Sequence, residues 1–157
     1  MKTLLFLFLL FGNLAFSQMP NIANVWLNNS KPYVGTIGNN KMEMKLKINI
    51  SEQDKKNDQQ YYLSGNTLVE NNLSKFEGKL TLTKYKDGKK RSVVYGEYEL
   101  AEEPKGKHTG IFTGKMIYTF FWNKKTQQIE RQFIEFVGKW KSYDGKLTYK
   151  TSWTNQD

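Results

Sequence analysis

From Tyr33 onward the chain alternates between apolar and polar residues. In "KMEMKLKINI" one face carries Met42, Met44, Leu46, Ile48 and Ile50, and the other carries Glu43, Lys45, Lys47 and Asn49. Phe76, Gly78, Leu80 and Leu82 repeat the pattern against Glu77, Lys79, Thr81 and Thr83. So do Val94, Gly96, Tyr98 and Leu100, and near the end Leu147, Tyr149, Thr151 and Trp153. A period of two is the mark of a strand with one buried face. Turn signals separate the runs, among them two Asp-Gly pairs, Asp87-Gly88 and Asp144-Gly145, which favour tight hairpins. The pattern predicts about eight strands, near 33–37, 41–50, 60–69, 75–85, 91–101, 110–123, 129–142 and 146–153. Short links favour antiparallel neighbours, so the expected fold is all-β: a small up-and-down β-barrel. A two-layer β-sandwich is the alternative.

Glycines interrupt these strands in a recurring way. An aromatic residue precedes a glycine by two positions in Tyr33-x-Gly35, Phe76-x-Gly78, Phe112-x-Gly114 and Phe136-x-Gly138. Glycine weakens a strand but permits the sharp coiling that a small barrel needs, and a ring can cover the bare backbone.

One hairpin departs from the two-face rule. Ile111, Ile117 and Phe121 lie opposite Phe112, Met116, Tyr118 and Phe120, and Ile129, Phe133 and Val137 are similarly out of phase in the following strand. Strands apolar on both faces are buried on both faces. The outer surface of the 110–137 hairpin is therefore expected to be covered, either by the "MPNIANVWLNN" segment or by another subunit. Ile111, Ile117, Phe121 and Phe133 are the candidate interface, and a homo-oligomer is one of the expected assemblies.

The start of the chain reads as a signal peptide. Lys2 supplies a positive charge, Leu4 to Phe11 an apolar run, and Ala15-Phe16-Ser17 a small–x–small cleavage pattern. Residues 1–17 are accordingly expected to be removed, with 18–32 an N-terminal segment and 33–157 a single barrel domain. The protein is expected to be exported, to the periplasm or the extracellular space, with no membrane span. There is no cysteine, which excludes a disulfide framework and thiolate chemistry. The balance of 24 Lys and Arg against 15 Asp and Glu gives +9, an excess that suits anionic surfaces or serves solubility.

The candidate chemistry is sparse. His108 is the only histidine and sits in a lysine-rich turn; Glu97 and Glu99 share a polar face; Glu102 and Glu103 are read as turn residues. No phosphate-cradling loop, metal-ligand spacing or nucleophile motif is found, so neither catalysis nor a cofactor is expected. Aromatic residues are the better lead. Phe76, Phe112, Tyr118 and Phe120 are expected on the inner face with Tyr98, Trp122, Phe136, Trp140 and Trp153, the last five as the wall of a pocket for a small apolar or aromatic ligand. Rings and lysines segregate to opposite faces, which disfavours single-stranded nucleic acid. A membrane barrel would crowd lysines into a narrow lumen. The competing expectation is a filled core, with function on the basic surface or on the apolar outer face of the 110–137 hairpin.

"FFWNKK" followed by "FVGKWKSYDGKLTYKTSW" resembles the later strands of the avidin family over residues 120–153. The resemblance implies a barrel, with Trp122 and Trp153 at positions where that family places pocket-wall tryptophans. The family's opening Gly-x-Trp-x-Asn-x-x-Gly-Ser is matched only at Trp26 and Asn28, so its biotin-binding polar residues do not carry over. "YVGTIG" and the glycine-rich strands also resemble uncharacterised exported β-rich proteins of Bacteroidota, a likeness that implies location.

Overall fold

The computed structural model describes residues 20–27, 31–106 and 108–155. The expected signal peptide lies outside the described residues. Eight strands follow one another: β1 (Tyr33–Ile37), β2 (Met42–Gln53), β3 (Gln60–Val69), β4 (Asn72–Lys86), β5 (Ser92–Glu102), β6 (Gly110–Asn123), β7 (Gln128–Ser142) and β8 (Thr148–Thr154). Each pairs antiparallel with the next, and β1 pairs with β8, so the sheet closes into a barrel in chain order. Closure rules out the sandwich, because a closed sheet leaves no edge strand.

The alternation holds wherever the register is unbroken. Met44, Leu46 and Ile48 of β2 are fully buried, as are Tyr61 and Leu63 of β3 and Leu80 of β4. The register shifts in three places, between Ile48 and Ile50, between Leu82 and Lys84, and between Phe121 and Trp122. An extra residue turns the following side chains to the other face. Ile50, read as inward from its spacing, is exposed for this reason, with Asn49 the extra residue on β2. Trp122, also read as inward, is exposed as well, but the unpaired residue at its bulge is Glu130 of β7. Trp122 therefore keeps the phase of β6 and is exposed near the end of that strand.

The two ends of the barrel differ. The first end is stoppered by a single turn, α1 (Ala23–Trp26). Trp26 is completely buried and meets Tyr61 and Tyr118 edge-on, at ring separations of 6.1 and 5.7 Å. The Tyr33 hydroxyl donates to the Trp26 carbonyl at 3.0 Å, and the Ile22 N–H donates to the Tyr61 hydroxyl at 3.3 Å. Residues 20–27 therefore enter the barrel rather than covering the 110–137 hairpin, which corrects one of the two expected covers. On that hairpin Phe133 remains 51% exposed and Val137 46%, while Ile111, Ile117 and Phe121 are half-buried.

The second end carries the β1–β2, β3–β4, β5–β6 and β7–β8 connections. Lys45, Lys47, Lys79, Lys115, Lys139, Lys141 and Lys150 are exposed on the barrel's outside, where a membrane barrel would need an apolar band.

Candidate ligand site

The middle of the barrel is solid. Phe136 and Trp153 stack at 5.3 Å, Tyr98 meets both edge-on at 5.3 and 5.2 Å, and Phe112 abuts Trp153 at 5.7 Å. Edge-to-face and offset rings at these separations are favourable packing. Tyr98, Phe136 and Trp153, expected in a pocket wall, are thus interlocked core residues. Trp122, one residue from the end of β6, is 44% exposed and outside the packed interior. Of the five, Trp140 lines the cavity at the second end.

That cavity, about 270 Å³, occupies the second end. Its apolar wall is drawn from Ile37, Met42, Phe112, Trp140, Leu147 and Tyr149, with Val69 beside them. Trp140 and Tyr149 face each other in register across β7 and β8, their rings stacked at 5.8 Å and within 9° of parallel. Glu70, Asn72, Ser74, Glu102 and His108 supply the polar lining.

Glu102 is the unexpected member. It was assigned to a turn, but it is the last residue of β5 and only 4% exposed. It continues the inward series Val94, Gly96, Tyr98, Leu100, and this extension of the alternation by one step was the signal that could have found it. Its carboxylate gathers donors from three other strands. Thr67 Oγ1 donates to Oε1 at 2.6 Å; the Gly110 N–H and Trp140 Nε1–H donate to Oε2 at 3.0 and 2.9 Å. The Tyr143 hydroxyl donates to the Glu102 carbonyl. Burial, and after it the Glu102 charge, push the Tyr143 phenol upward. Because the bond to Glu102 fixes the indole, Trp140 presents a set ring face to the cavity.

His108 stands exposed at the rim of the same cavity, while Glu97 and Glu99 are exposed on the barrel's outside. No group of three or more His, Asp or Glu able to hold a metal occurs among the described residues. No protein family, curated protein or solved structure matches this chain.

Proposed function

We propose that this protein is an exported, non-catalytic binding protein that holds a small apolar or aromatic ligand in the second end of its barrel. The observation that carries this reading is the cavity of about 270 Å³ walled by the Trp140–Tyr149 stack and floored by Phe112 and Glu102. Pockets for small molecules are concave, mostly apolar, and fixed in orientation by a few polar groups. The first end, by contrast, is filled by Trp26. A barrel stoppered at one end and hollow at the other suits a container with one entrance.

The test is titration of the purified protein with indole, followed by calorimetry. The expected result is a saturable change that Trp140→Phe abolishes and Trp122→Phe leaves intact. A signal that persists in Trp140→Phe and vanishes in Trp122→Phe would place binding at the far end of β6 instead.

A second reading has its own observation. On the outer face Ile117 lies in register beside Tyr95, and Phe133 and Val137 are half exposed on the adjoining strand. That apolar strip suits a protein partner or a second copy of this chain. Sedimentation velocity decides it. Concentration-dependent association, lost in Phe133→Ser, would support it, and a monomer at all concentrations would count against self-association.

A further inference from the structure

Among the described residues, the carboxylate on the floor of the cavity has no lysine or arginine beside it. Glu102 is 96% buried by its 4% exposure, and its three side-chain partners, Thr67, Gly110 and Trp140, are all neutral. Among the described residues no lysine or arginine is paired with it, and none lines the cavity, although the chain carries +9 overall. The other acid in the lining, Glu70, adds to the negative character. Buried charges in proteins are as a rule paired, because desolvation without compensation is costly.

The hydrogen-bond count narrows what could pair with it. An ionised carboxylate offers about four acceptor positions. Two on Oε2 are taken by Gly110 and Trp140, and one on Oε1 by Thr67. A single position on Oε1 is left. A planar guanidinium prefers to fork onto both oxygens and would have to displace an existing donor. A compact ammonium needs only one oxygen, and its other N–H groups can reach polar atoms such as those of Ser74 and Asn72 in the lining. The stacked faces of Trp140 and Tyr149 then suit an aromatic ring carried by the same molecule.

We propose that the cavity selects arylalkylamines, with the ligand's ammonium on Glu102 and its ring against Trp140 and Tyr149. This rests on the binding reading above, and it adds the charge and class of the ligand.

The test compares three probes of one shape by calorimetry on the purified protein: cationic tryptamine, neutral 3-ethylindole and anionic indole-3-propionate. Tryptamine is expected to bind tightest, by roughly thirtyfold or more over 3-ethylindole, the scale of a buried charge pair. Indole-3-propionate is expected to bind weakest. In Glu102→Gln the ratio of tryptamine to 3-ethylindole affinity should collapse towards one, whatever happens to the affinity for 3-ethylindole itself. The amide oxygen can keep the bonds from Gly110 and Trp140. The amide NH₂ can donate to Thr67, whose hydroxyl then turns to the Ser74 carbonyl at 3.5 Å.

Equal binding of tryptamine and 3-ethylindole to the wild type would overturn the proposal and leave the binding reading standing, and it needs no variant. A preference for the anion, or a tryptamine advantage that survives in folded Glu102→Gln, would also overturn it. Failure of all three probes to bind would remove the binding reading and this inference together.

Discussion

The Tyr98 hydroxyl of β5 stands 2.7 Å from where a Cβ would lie on Gly138 of β7, and 2.8 Å from the same position on Gly114 of β6. These residues form one row across the sheet, with Tyr98 opposite Gly114, Gly114 opposite Gly138, and Gly138 opposite Thr151. The two glycines bring their strands so close that the Gly114 Cα would be 2.7 Å from a Gly138 Cβ, and the Thr113 carbonyl oxygen would be struck as well. Gly138→Ala is therefore expected to destabilise the protein by about 2 kcal/mol or more, since backbone as well as Tyr98 must give way. Urea denaturation checks it. In a Tyr98→Phe background the loss should shrink only in part, because the backbone collision remains.

Tyr98 itself yields a separate expectation. Its hydroxyl is buried beside that of Thr151, near enough to interact weakly, but neither hydroxyl has a partner in good hydrogen-bond geometry. An unsatisfied buried hydroxyl contributes nothing to offset its desolvation. Tyr98→Phe is expected to leave stability at pH 7 unchanged or to raise it by up to about 1 kcal/mol, read from the urea midpoint.

The same residue makes the fold sensitive to alkali. Burial raises the phenols of Tyr33 and Tyr98 well above the ordinary 10.0, and pushes Tyr118 to about 12. Between the ordinary value and these raised values the folded state holds protons that the unfolded chain has released. Stability is then complete below about pH 10 and falls as pH rises above it. Urea midpoints at about pH 8 and about pH 11 should show a fall in the wild type and a shallower one in Tyr98→Phe. An equal fall in both would show that the burial of Tyr98 does not drive it.

The stopper offers a further test. Trp26 is fully buried on a single helical turn and is held by Tyr61, Tyr118 and the Tyr33 hydroxyl. Trp26→Ala is expected to cost about 3–5 kcal/mol, the range for deleting a large core aromatic. A cost under about 1 kcal/mol by the same denaturation would mean that α1 is only an appendage.

Much of this architecture was legible in the chain because barrel strands obey a two-residue period, and the eight runs with their turns stand in the sequence in order. The failures have identifiable causes. A bulge is one extra residue with no reliable signature, so Ile50 was carried to the wrong face. Trp122, by contrast, keeps its phase and is exposed because it lies near the end of β6, away from the packed interior. The Phe136-x-Gly138 spacing points to cover by a ring of the same strand, whereas the side chain over Gly138 is Tyr98 from two strands away. That contact depends on register, which local pattern does not encode. Nor could alternation tell a filled interior from a hollow one, since Trp153 and Trp140 share the inward phase and differ only in depth. Glu102 was readable as the inward continuation of β5, but its charge, beside Glu103 and Pro104, made it look like part of a turn.

The central claim is that the second end of the barrel is a binding site and the middle is not. The chain has four tryptophans, each with its own indole N–H resonance: Trp26 in the stopper, Trp153 in the solid core, Trp122 exposed near the end of β6 and Trp140 at the cavity. Titration of ¹⁵N-labelled protein with indole, followed by heteronuclear NMR, reads all four at once. Binding at the second end requires the Trp140 indole signal and the Gly110 amide, both bonded to Glu102, to shift saturably while those of Trp26 and Trp122 stay in place. Movement of Trp122 alone, or no movement at any of the four, would contradict it.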